Sequence, residues 1–179
     1  ETQISVGQPY FDRMGAPLGV AILFLMGVGP ALPWGTGSVR SAARRLAIPS
    51  AFGLIVVTGS VVGGIDAPWA LATFVLGAFA LATTVREVLA PALARSKARG
   101  EGLASAMVTV MSRGRRRYGG YIVHVGVISI AVAHAAAIAY QVKEPVTFVK
   151  DTPREVLGYE VTYLGSEWDD QPHRKSHKA

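Results

Sequence analysis

Four stretches of this chain carry no Asp, Glu, Lys or Arg: Met14 to Val39, Leu46 to Ile65, Ala67 to Val85 and Tyr118 to Val142. Each runs for about 19 to 26 residues, and a helix needs about 20 apolar residues to cross the hydrocarbon core of a bilayer. Half of all residues are apolar, and the 17% that are charged lie between the runs rather than being scattered as on a soluble domain. Backbone amides inside lipid must bond to one another, which a helix achieves within a single segment. The sequence therefore predicts an α-helical polytopic membrane protein with four transmembrane helices, at about 14–34, 46–65, 67–86 and 119–142, within a membrane region of 13–142.

The positions of Lys and Arg orient those helices. The connection between the first two runs carries Arg40, Arg44 and Arg45; that between the third and fourth carries Arg86, Arg95, Lys97, Arg99, Arg113, Arg115, Arg116 and Arg117. The turn from Gly63 to Pro68 has none. Because short cytoplasmic loops are enriched in Lys and Arg, both chain ends are expected on the extracytoplasmic side of a cell inner (plasma) membrane, with 1–12 as an extracytoplasmic loop. The net charge of +6 is then a topology signal, and its basic residues flank membrane spans instead of forming a nucleic-acid footprint. No nucleic-acid partner is expected; membrane lipid is. Without any cysteine the chain has no thiol–disulfide chemistry. It begins at Glu1 with no methionine, as a piece of a longer polypeptide or a processed chain would.

Between the third and fourth spans, a helix lying on the membrane surface is expected within 90–117. Leu103, Met107, Val108 and Met111 recur there at helical spacing among basic residues, and Gly100 with Gly102 breaks the segment in two. Gly15 with Gly19, Gly59 with Gly63 and, more weakly, Ala78 with Ala82 have the small-xxx-small spacing of close helix contacts. Pro30 and Pro33 should interrupt the last turns of the first span, with Trp34 as an interfacial anchor. After the fourth span, Val146, Phe148, Tyr159, Val161 and Tyr163 alternate with polar residues, which predicts a small extracytoplasmic C-terminal β-segment within 143–179. Its end, Asp169 to Ala179, reads as disordered or continued by further chain.

Cost alone singles out His124 as the residue to carry chemistry, because an ionisable group in a membrane span is a functional-site hypothesis by default. Ile128, Ala131 and Ala135 follow it near the same helix face. Small residues beside a histidine leave room for a porphyrin, whose iron takes neutral imidazole as an axial ligand, and equally for another helix to which the histidine hydrogen-bonds. His134 lies about 15 Å further along the axis and is rotated by about 80°, so one helix cannot offer both to one iron. His173 and His177 stand in a polar tail without a tight ligand set.

Three segments carry a resemblance. SVGQPYFDRM leading into LMGVGPALPW, then RRRYGGYIVHVGV, then EVLGYEVTYLG, resemble in order and separation a C-terminal portion of the CcmF-type cytochrome c maturation proteins. The resemblance implies part of a haem lyase, which attaches haem to the CxxCH cysteines of apocytochrome c. The implied partners are the remainder of the lyase, the haem chaperone CcmE, a CcmH-type subunit that presents the substrate, and apocytochrome c. It also implies that His124 is one axial ligand of the iron of a membrane haem b, the opposite ligand lying in a part of the family that this chain lacks. The family's tryptophan-rich motif and two periplasmic histidines are absent as well, and Phe11-Asp12 stands where the family has Phe-Asn. This chain alone is therefore not expected to be a complete enzyme. The competing reading is a non-catalytic membrane subunit, such as a transporter component or an anchor for a complex. It lacks support from any Asp or Glu within a span or from an inverted repeat.

Overall fold

The structure is a computed structural model describing residues 8–32, 39–141, 146–165, 167–171 and 174–178. It divides into two compact units, residues 1–141 and 142–179. The first is helical: α1 (Gln8–Val28), α2 (Val39–Val62), α3 (Pro68–Arg99), α4 (Leu103–Arg113) and α5 (Arg115–Ala139). Among the described residues α1, α2, α3 and α5 are each long and apolar enough to cross a membrane, which bears out the expected four-span architecture. Large apolar side chains such as Leu18, Leu25, Ile55, Val62, Ile122 and Ile130 are exposed on these helices. That is unfavourable in water and natural where lipid is the solvent.

The third helix organises the bundle. α1, α2, α4 and α5 all pack against it, and 39% of its span is buried inside the protein, against 17, 11 and 11% for α1, α2 and α5. Close approach is permitted by single glycines. A Cβ at Gly27 of α1 would lie 2.4 Å from the Phe79 ring and 3.2 Å from the Ala80 backbone. One at Gly53 of α2 would lie 3.3 Å from the Val75 carbonyl oxygen, and one at Gly77 of α3 would lie 2.8 Å from Val132 of α5. Leu23, Ala80 and Ile128, from α1, α3 and α5, form the core, with Met26, Leu76, Ala131 and Val132 packed on it. The spacing-based expectation fails here, since a Cβ at Gly15, Gly19 or Gly59 would meet nothing within 4 Å. Sequence spacing marks small residues but not which face a helix turns inward.

The buried hydroxyls of α3 are satisfied locally. The Thr83 and Thr84 hydroxyls donate to the carbonyls of Phe79 (3.0 Å) and Ala80 (2.8 Å), one helical turn earlier. Pro49, inside α2, has no amide hydrogen to give to the Arg45 carbonyl four residues back. The Arg86 guanidinium of α3 donates to that carbonyl instead, tying α3 to α2 where the proline opens the ladder. α1 stops at Val28 and tightens into a 3-10 turn, Gly29–Ala31, around Pro30, as expected. Pro33 and Trp34 lie outside the described residues. α2 closes through Gly64, at φ 82°, with Ile65 N–H on the Ser60 carbonyl and Gly64 N–H on that of Val61, and Pro68 then opens α3.

α3 continues unbroken to Arg99, so the expected surface helix within 90–117 is divided differently from the sequence reading. Its first part is the end of α3, its second is α4, and Arg115 already begins α5. At 32 residues α3 is about 48 Å long, which exceeds the roughly 30 Å hydrocarbon core. Gly100, left-handed at φ 67°, ends it. Glu101 then folds back to pair with Arg95, while the Ser96 hydroxyl donates to the Glu101 carbonyl at 2.7 Å. α4 rests Ala106 in the bundle and leaves Leu103, Val108 and Met111 uncovered, an apolar face suited to a membrane surface.

The second unit contains two antiparallel hairpins. In the first, β1 (Pro153–Val156) pairs with β2 (Tyr159–Thr162), Val156 opposite Tyr159, across a two-residue turn in which Leu157 and Gly158 have φ of 53° and 82°. Positive φ at both positions is the turn geometry that matches strand twist. Tyr159 and Val161 fall on β2 as expected, whereas Val146 and Phe148 are in no strand. In the stretch read as disordered or continued by further chain, β3 (Glu167–Gln171) pairs with β4 (Arg174–Lys178). In the backbone register Glu167 lies opposite Lys178 and Asp170 opposite Lys175.

Candidate functional site

α5 places His124 nine residues after its first residue, about 13 Å along the axis. The imidazole faces the second half of α1. Between them lies an open groove of about 510 Å³ lined by Ile22, Leu25, Met26, Gly29, Pro30, Tyr121 and His124. The 3-10 turn that ends α1 forms one wall, and a Cβ at Gly29 would meet nothing within 4 Å, so glycine there leaves volume open.

The walls are almost wholly apolar, and His124 Nδ1 is buried in them without a hydrogen-bond partner in the described protein. A buried polar atom left unpaired costs about 1–3 kcal/mol, so the position calls for a partner from outside these helices. Among the described residues no group of three or more His, Asp or Glu stands close enough to hold a free metal ion. The site offers one imidazole and an apolar wall.

The face carrying Ile128, Ala131 and Ala135 is not the pocket. Ile128 sits in the core with Leu23 and Ala80, Ala131 packs against that cluster, and Ala135 is buried. Their small size admits α1 and α3. The open space lies one turn towards the start of α5, on the Tyr121 side. His134 is exposed and lines no part of the groove; His173 is outside the described residues, and His177 is on β4.

Residues not singled out from the sequence surround the histidine. The Tyr121 ring stands edge-on to the His124 ring, centroids 6.3 Å apart at 75°, and Tyr118 stacks against Tyr121 in the same manner at 5.9 Å and 84°. Arg117 Nε–H donates to the Tyr121 hydroxyl at 2.8 Å, and its Nη2 lies 3.0 Å from Oε2 of Glu87 on α3. The available signal was spacing: Arg117, Tyr121 and His124 follow one another by four and three residues, hence on one face.

Two curated relatives are similar to the chain. A cytochrome c-type biogenesis protein CcmF of Pseudomonas fluorescens is 27% identical over 180 residues, covering 99% of this chain. Along its whole length the chain is similar to CcmF. The CcmF of Pseudomonas aeruginosa is 26% identical over 179 residues, again covering 99% of the chain. The chain spans 26% of the length of each of these relatives. The resemblance of its motifs to a C-terminal portion of CcmF-type proteins is thereby borne out. No protein-family model matches the chain, and no solved structure matches it significantly.

Proposed function

We propose that this chain acts in cytochrome c maturation as part of a CcmF-type haem lyase of the inner membrane, His124 serving as one axial ligand of a membrane b-type haem. The observation that carries this reading is the unpartnered, buried Nδ1 of His124 beside an apolar groove, on a chain similar to CcmF throughout. A haem bound there supplies one-electron exchange. The protein's own part is to present an imidazole from a rigid helix, to offer an apolar wall of Ile22, Leu25 and Met26, and to leave space at Gly29. The opposite ligand and the region that handles substrate haem belong to the remainder of the lyase. That larger protein works with the haem chaperone CcmE, a CcmH-type subunit and apocytochrome c.

The test is spectroscopic. The full-length protein purified from membranes should show a Soret band and, on reduction with dithionite, the sharp visible bands of a b-type haem. A protein fully assembled but free of haem absorption would overturn the proposal and favour a non-catalytic membrane subunit.

In the same reading both ends of this segment face the extracytoplasmic side. Eleven basic residues on the two longer connections, against none from Gly63 to Pro68, support that orientation. The absence of native cysteine makes the check direct. A cysteine at Arg99 should be shielded from impermeant thiol reagents in intact cells and one at Glu160 labelled; the reverse pattern would refute the orientation.

A further inference from the structure

The contacts behind His124 form a continuous chain from α3 to the imidazole. The Glu87 side chain is only 12% exposed and holds the Arg117 guanidinium at 3.0 Å. Arg117 in turn donates to the Tyr121 hydroxyl, with its guanidinium carbon 5.6 Å from the centre of the same ring. Tyr121 is buried, pressed between Tyr118 and His124. A tyrosine has two side-chain torsions, and here the ring is fixed by packing and the hydroxyl by a charged donor. Among the described residues His124 has no hydrogen bond at Nδ1, and the Tyr121 ring stands edge-on against its imidazole.

We propose that Tyr121 is a positioning residue for His124, locked by the Arg117–Glu87 ion pair between α5 and α3, and that this pair also sets the local charge felt at the imidazole. The inference rests on the haem reading above. Arg117 precedes His124 by seven residues, which puts it two turns away on the same face, about 10 Å along the axis. A cation at that range favours the reduced state of a bound iron; the Arg117 side chain is 55% exposed, so its field is partly screened, and Glu87 offsets part of its charge. One ion pair thus performs two tasks, holding a ring and balancing a field.

The two halves of the pair make opposite predictions. In the full-length membrane protein, Arg117→Gln should lower the haem midpoint potential because Glu87 remains unopposed, whereas Glu87→Gln should raise it because Arg117 does. Arg117→Lys should return the potential towards the wild-type value. Tyr121→Leu should broaden and shift the low-spin ferric signal in electron paramagnetic resonance, which responds to axial imidazole orientation. If that variant fails to accumulate, Tyr121→Phe, which keeps the ring and loses only the hydroxyl, should give a smaller shift of the same signal. His124→Ala, measured in parallel, separates the two proposals. Loss of the haem band in His124→Ala with unchanged potentials and line shapes in the Arg117, Glu87 and Tyr121 variants would overturn the positioning role alone. An unchanged haem band in His124→Ala would overturn the haem reading and this inference with it.

Discussion

His124→Ala is expected to abolish or shift the haem absorption of the membrane protein and to lower holocytochrome c formation by at least roughly 10–100-fold, the range seen when even the supporting shell of a metal ligand is lost. Protein abundance should not fall with it. Nδ1 of His124 is buried and unpartnered, so its removal takes away a desolvation penalty instead of a stabilising contact. That combination, loss of function with preserved accumulation, separates a ligand from a packing residue. His134→Ala serves as the internal control: His134 is exposed and does not line the groove, and the change should leave both readouts within error and stability within about 0.5 kcal/mol. Intact haem absorption together with intact maturation in His124→Ala would remove the ligand assignment.

Enlarging Gly27 is expected to have the greatest structural effect. Its Cβ position lies 2.4 Å from the ring of Phe79, which is itself buried, and 3.2 Å from the Ala80 backbone, so neither neighbour can yield freely. Gly27→Leu should therefore separate α1 from α3 at a cost of about 1–3 kcal/mol or more, read as a lower midpoint of thermal unfolding in detergent. The same helix lends Ile22, Leu25, Met26 and Gly29 to the groove, so the variant should also weaken cofactor retention. Gly15→Ala makes the contrast. No atom lies within 4 Å of the added methyl, and alanine is the better helix former, so stability should hold or rise by up to about 1 kcal/mol. Equal midpoints for Gly27→Leu and the unmodified protein would mean that α1 and α3 do not meet as described.

Two features were legible from the sequence because each is a sum over one segment. Transfer of a run of apolar residues into lipid depends on that run alone, so the charge-free stretches located α1, α2, α3 and α5 before any contact was known. The cost of an ionisable group in such a run singled out His124 by the same reasoning. Which face of a helix turns inward is a property of pairs, and hydropathy is silent about it when every face is apolar. Hence Gly15, Gly19 and Gly59, which have the familiar spacing, touch nothing, while Gly27, Gly53 and Gly77 carry the close contacts with or from α3. Hence also Ile128, Ala131 and Ala135 receive helices, and the open space beside His124 falls on the Tyr121 side. The link from Glu87 through Arg117 to Tyr121 spans thirty residues of sequence between its first two members. Local spacing placed Arg117, Tyr121 and His124 on one face, but only the packing of α3 against α5 brought the carboxylate that completes the group.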